Sequence, residues 1–135
     1  MLSTYKVVTI CGSMRFYPAM IEAAKLYTHN GWIVLMPHDT KADTPLSYQL
    51  NTKLDEMHLV KIDLSDAILV ISNGRGYRGE STKAEIDYAR RHGKRILYLT
   101  CDEIYDELHV LNTTMYEQTG QQRTDEPDGI GWGAE

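Results

Sequence analysis

The stretch Tyr5-Lys6-Val7-Val8-Thr9-Ile10-Cys11-Gly12-Ser13-Met14-Arg15 decides how this chain folds. Its β-branched residues read as a buried strand over Tyr5–Ile10. Gly12 and Ser13 then turn the chain, and Pro18 fits the first turn of a helix. Met20, Ala23, Ala24 and Tyr27 give the helical repeat, and Asn30-Gly31 ends it. Strand, glycine loop and helix in that order open a βαβ unit.

The same alternation continues outward. Trp32–Met36 reads as a second strand stopped by Pro37, and a polar stretch from His38 to Asp43 follows. Thr44-Pro45 places a cap before a proline at the first helical position. Leu46, Leu50, Leu54 and Met57 recur at helical spacing and predict one long helix to about Leu64. Ala67–Ser72 is the third strand, Asn73–Glu80 a loop, Thr82–His92 a helix closed by Gly93, and Arg95–Thr100 the fourth strand. Ile104, Leu108, Leu111 and Met115 mark a last amphipathic helix from Glu103 to Glu117. Strands alternating with helices imply an α/β Rossmann-like, three-layer sandwich, with a parallel sheet of four or five strands and helices on both faces. This domain is expected over residues 1–118. Residues 119–135, poor in apolar side chains, are expected to be an acidic, mobile tail.

Composition narrows the function classes. Hydrophobic residues at 42% and charged residues at 24% are ordinary for a globular domain. Apolar runs fall far below the ~20 residues needed to cross a bilayer, so no membrane partner is expected. No charged segment precedes an apolar one as in a secretory signal, which predicts a cytoplasmic protein. Cys11 and Cys101 each follow a predicted strand and are expected to be reduced, partly buried thiols. Residues 1–101 carry 13 Lys/Arg against 10 Asp/Glu, whereas residues 102–135 carry one Arg against 9 Asp/Glu. The net charge of −5 therefore belongs to the tail, and the mildly basic remainder suits a small anion. A nucleic-acid polymer would need a broad basic face and is not expected as a partner.

Two motifs carry chemistry. In the first, Gly12 lets backbone approach a ligand, Ser13 offers a hydroxyl, and Arg15 can grip phosphate oxygens; Met14 lies between them. A plain turn with Ser13 as a cap and Arg15 in solvent is the alternative at this point. The second is Glu85, in Gly79-Glu80-Ser81-Thr82-Lys83-Ala84-Glu85-Ile86-Asp87-Tyr88-Ala89, where a glycine-rich loop runs into a helix. A carboxylate there overhangs the C-terminal edge of the sheet, where open α/β folds bind ligands. Its rival is structural: Thr82-Lys83-Ala84-Glu85 matches a capping box. A carboxylate beside a ribose can instead attack the anomeric carbon as the base departs.

Cys11-Gly12-Ser13-Met14-Arg15, taken with Gly79 and Glu85-Ile86-Asp87-Tyr88-Ala89, resembles the nucleoside 2-deoxyribosyltransferase superfamily over roughly residues 5–100. Within it, the likeness is closer to the nucleoside 5′-monophosphate N-glycosidases. The resemblance implies a flavodoxin-like sheet, a homodimer, no cofactor, and Glu85 as nucleophile. It also implies that Gly12, Ser13 and Arg15 bind the 5′-phosphate, with Gly79 and Ser81 along the sugar-phosphate side. The expected activity is hydrolysis of a (deoxy)nucleoside 5′-monophosphate to free base and sugar phosphate. Transfer of the sugar to a second base is the near alternative, and a nucleotide sensor without chemistry is the distant one.

Three departures from the family's pattern bear on the site. His58 stands where an acidic residue is usual, and an imidazole there could protonate the departing base or orient the ribose. Asp87 replaces a glycine, and the loop from Asn73 to Arg78 is long and brings Arg75 and Arg78. Asp66 is expected to shape the turn into its strand. His38, Asp39 and His58 show no metal-ligand spacing, so no metal site is expected.

Overall fold

A computed structural model describes residues 4–38 and 48–108 of the chain. The helix start at Thr44-Pro45, the last helix beyond residue 108 and the tail over residues 119–135 lie outside the described residues. Four strands, β1 (Val7–Gly12), β2 (Ile33–Leu35), β3 (Ala67–Ser72) and β4 (Arg95–Thr100), alternate with α1 (Tyr17–His29), α2 (Tyr48–Asp63) and α3 (Glu80–Arg91). A short 3₁₀ turn, Met14–Phe16, precedes α1, and residues 101–108 are helical.

The strands form one parallel sheet in the order β2-β1-β3-β4. That order, with helices on both faces, is the flavodoxin-like form of the doubly wound α/β fold, and its switch point lies between β1 and β3. The register pairs Cys11 with Val70 and Gly12 with Ile71, so β1 runs two residues past the expected Ile10. β2 is shorter than expected because only Ile33, Val34 and Leu35 find partners on β1.

Side chains alternate across a strand, and the two sheet faces divide accordingly. Val8, Ile10, Ala67, Leu69 and Ile71 pack with Ala19, Met20, Ala23 and Leu26 of α1 and with Ile104 and Leu108. Cys11, Ile68 and Val70 point the other way, onto Ile62 of α2 and Ile86 and Ala89 of α3. Each fully buried aliphatic side chain contributes roughly 1.5–3 kcal/mol. Thr9 is also buried on the second side, where its hydroxyl meets Ser65 Oγ at 2.6 Å and donates to the Lys61 carbonyl at 3.0 Å. Asp66 does shape its turn: its carboxylate accepts from the Val7 N–H at 2.8 Å and so joins β3 to the start of β1.

Gly12 is required where it stands. Its φ is 150°, and a Cβ there would lie 2.8 Å from the Ile71 carbonyl oxygen. The end of β1 thus presses against β3 at the switch point, with no room for a side chain between.

Candidate active site

A cavity of about 580 Å³ opens beside the C-terminal ends of β1 and β3. One wall is the turn Gly12, Ser13, Met14 and Arg15; the second is α2, through Asn51, Leu54, Asp55, His58 and Lys61; the third is Gly79, Ser81, Thr82 and Glu85. All eight residues singled out in the sequence, Gly12, Ser13, Met14, Arg15, His58, Gly79, Ser81 and Glu85, therefore line one space. They reach it from three separate parts of the chain.

The capping-box reading of Glu85 is overturned. α3 begins at Glu80, two residues before the Thr82 start expected, with Gly79 extended (φ −76°, ψ 175°) as its N-cap and no side-chain cap bond. Thr82 is buried inside the first turn, so it does not cap, and Glu85 has no N-cap partner to serve. The helix start follows from Gly79, and Glu80 in the first turn suits the positive end of the helix dipole. Glu85 is released to face the cavity.

At the cavity's inner corner, His58 Nε2 lies 3.7 Å from Glu85 Oε1 and 3.5 Å from Cys11 Sγ. Burial pushes the Glu85 carboxyl up from 4.5 to about 7. The neighbouring Cys11 thiol favours the ionised form and offsets part of that rise, while the charge of Asp55 adds to it. His58 moves the opposite way, down to about 4, first through burial and then through the Lys61 charge. Burial, and then the Glu85 charge, hold the Cys11 thiol protonated. At neutral pH His58 is uncharged, so its contact with Glu85 is not an ion pair. Burial thus opposes the imidazolium form that protonating a base would use, whereas the other role considered for His58, orienting the ribose, does not need it. The groups and their environments are of the kind that functional sites assemble, a carboxyl titrating near neutrality inside a cleft.

The anion turn combines both readings of its residues. Ser13 Oγ accepts from the Arg15 N–H at 3.3 Å and so caps the 3₁₀ turn, as the plain reading has it. Arg15, by contrast, is not loose in solvent. Its guanidinium sits 4.2 Å from the Tyr77 ring centroid and donates from Nη2 to the Tyr77 hydroxyl at 3.4 Å. Phe16 meets the same ring edge-on at 6.2 Å between centroids. Tyr77 is held in turn by Asn73, whose side-chain carbonyl accepts from the Arg75 and Tyr77 N–H groups at 2.9 and 3.1 Å. The loop after β3 therefore steadies the arginine of the loop after β1. Arg75 and Arg78 do not line this cavity; Arg78 instead stacks over Tyr98, 4.8 Å from the ring centroid.

Four contributors went unnamed as site residues in the sequence. Asp55 and Lys61 lie one turn either side of His58 on α2, and helical spacing alone places them on its face. Lys61 Nζ donates to the Met36 carbonyl at 2.6 Å, tying α2 to the end of β2. Tyr77 had its signal in the Asn73-to-Gly76 turn chemistry. Cys11 was read as part of the loop, and its contact with His58 spans elements far apart in sequence.

Fold and site together define a doubly wound α/β domain with an acid-bearing crevice at its switch point. No protein-family model matches this chain, and no curated protein does. Among solved structures, the chain is similar to a 2-desoxiribosyltransferase from Leishmania mexicana at 22% identity, covering 93% of this chain and 76% of that one, with a TM-score of 0.49. Those numbers assign no chemistry to this chain, which its own residues must supply. Among the described residues, no helix is long and apolar enough to cross a membrane.

Proposed function

We propose that this chain is an N-glycosidase of the nucleoside 2-deoxyribosyltransferase type, acting on a (deoxy)nucleoside 5′-monophosphate. One observation carries the reading: Glu85, free of any capping role, lines the same cavity as the Gly12–Arg15 turn. A volume of about 580 Å³ falls within the range of ligand sites, ~300–1,000 Å³. The 5′-phosphate sits on the turn, against backbone N–H groups and Arg15. The anomeric carbon then faces Glu85.

In the reaction, the Glu85 carboxylate forms a bond to the anomeric carbon as the carbon–nitrogen bond to the base breaks, through an oxocarbenium-like transition state. Water then hydrolyses the glycosyl ester, its hydroxyl going to the anomeric carbon and its proton balancing the one the departing base takes from solvent, which releases sugar 5-phosphate and regenerates the Glu85 carboxylate. Uncharged His58 orients Glu85 rather than protonating the base. Asp55 is the carboxylate on the α2 wall available to hold the ribose or the departing base. Substitution of a second base for water gives base exchange with the same residues. The same reading carries a homodimer, for which exposed Met57, Val60 and Leu64 at the end of α2 supply apolar surface.

The neutral state of His58 also favours a second reading, a nucleotide sensor with little chemistry. Incubation with a panel of nucleoside and deoxynucleoside 5′-monophosphates, followed by chromatography for free base, separates the two. Release of base by the wild type and none by Glu85→Gln is the expected outcome. Binding without release from any of them supports the sensor, and near-normal turnover in Glu85→Gln overturns the catalytic role.

A further inference from the structure

We infer that Cys11 Sγ, His58 Nε2 and Glu85 Oε1 form a binding site for a borderline-soft divalent cation, with Zn²⁺ the best fit. The three donor atoms all lie within 4.8 Å of one another. Two of the separations are 3.5 Å from sulfur to nitrogen and 3.7 Å from nitrogen to oxygen. A tetrahedral ion with bonds of ~2.3 Å to sulfur and ~2.0–2.2 Å to nitrogen and oxygen has ligand-to-ligand edges of roughly 3.3–3.5 Å. Those two edges need to change by only a few tenths of an ångström, and the third, from Cys11 sulfur to the Glu85 carboxylate, starts within 4.8 Å and closes by a rotation of the Glu85 side chain.

The chemistry of the set is selective. A thiolate with an imidazole disfavours Mg²⁺ and Ca²⁺, which take oxygen ligands, and favours Zn²⁺ or Co²⁺. Three protein ligands leave a fourth position, which the cavity reaches past His58 and Glu85. The balance is simple: the ion enters, the Cys11 thiol releases one proton to solvent, and Glu85 binds as carboxylate. His58 binds through Nε2, so its ring proton rests on Nδ1, which is buried and has no partner among the described residues. An imidazole ligand normally donates that proton to a neighbouring acceptor, and lacking one costs about 10–100-fold in affinity. The site is therefore one for reversible binding.

No sequence spacing announces this cluster, because its members come from β1, α2 and α3. The regulatory consequence rests on the proposed function: an ion bound to Glu85 removes the nucleophile, so Zn²⁺ inhibits. Binding itself is independent of that reading and is read without turnover.

The test is titration of the full-length, chelator-stripped protein with Co²⁺ and Zn²⁺. One ion per chain and a near-ultraviolet thiolate-to-cobalt charge-transfer band are expected, with Zn²⁺ displacing Co²⁺. Cys11→Ser, nearly the same size, abolishes the band and weakens Zn²⁺ at least about 10-fold. Glu85→Gln weakens Zn²⁺ while the band survives, and Cys101→Ser changes neither. Absence of the band in folded wild type overturns the inference, as does a band or Zn²⁺ affinity undiminished in folded Cys11→Ser. Metal bound without loss of base release would overturn the inhibitory consequence alone.

Discussion

The two faces of the sheet are built on different terms. Against α1, every inward residue in the cluster of Val8, Ile10, Ala67, Leu69 and Ile71 is apolar and fully buried. Against α2 and α3, the sheet admits Thr9 and Cys11, and the covering helices add His58, Thr82 and Glu85. Buried polar groups cost free energy unless partnered. Thr9 and Ser65 are satisfied by each other and by the Lys61 carbonyl, but His58 Nδ1 finds no partner among the described residues. One face holds the fold together, and the other gives up some of that stability to keep a carboxyl near neutrality. Chemistry sits where packing is compromised.

Substitutions on the two faces separate these roles. The largest effect belongs to Glu85→Gln, which should lower turnover on the order of 10³-fold or more while the protein stays folded. Steady-state assays beside circular dichroism check it. On the opposite face, Leu69→Ala should cost about 2–5 kcal/mol by leaving a cavity, and the pH dependence of activity should not move. Equal sensitivity of that profile to Leu69→Ala and to changes around Glu85 would erase the contrast.

Glu85→Gln also has a stability signature, read with a chelator present. The folded-state pKa of Glu85 lies above its ordinary value, so between about pH 4.5 and 7 the folded chain keeps a proton that the unfolded chain has lost. Stability therefore falls as pH rises through that window. The rise from 4.5 to about 7 corresponds to a cost on the order of 3 kcal/mol above it. Glu85→Gln removes the cost, so denaturant unfolding should find the variant more stable than wild type at pH 8 and level with it near pH 4. His58 runs the other way: depressed to about 4, it makes stability fall as pH drops below about 6.5 in both proteins.

Smaller effects refine the boundary between the faces at Gly12. Gly12→Ala should cost about 1–3 kcal/mol, since its Cβ meets the Ile71 carbonyl at 2.8 Å in a backbone conformation that side chains avoid. Its nucleotide affinity should drop with its stability, measured by calorimetry on the folded fraction. Arg15→Ala, out on the rim, should raise KM about 10-fold, the loss of one charge-assisted phosphate contact. Tyr77→Phe should reproduce only a small part of that change, because the ring contact with Arg15 remains.

How much of this could be read in the sequence differs between strands, helices and site. Ala67–Ser72 stands where its apolar run places it, because a fully covered parallel strand is a continuous hydrophobic run bounded by polar residues, and the half-buried edge strand Arg95–Thr100 also keeps its expected bounds. β1 ends later than its β-branched residues suggest, since pairing with β3 carries Cys11 and Gly12 into the sheet. Thr82 misled: a capping box is a local pattern, and the turn formed by Gly79 starts the helix first. The site's members were legible one by one through loop glycines and a carboxylate on a helix. Their electrostatics were not, because the neutrality of His58 and the raised carboxyl of Glu85 both come from burial among residues distant in sequence.

The most direct test of the central claim is mass spectrometry of the enzyme quenched during turnover of a slow nucleoside monophosphate. The account predicts a sugar-phosphate adduct on the peptide containing Glu85, absent from Glu85→Gln. Base release with the adduct on another residue, or with turnover intact in Glu85→Gln, would contradict it.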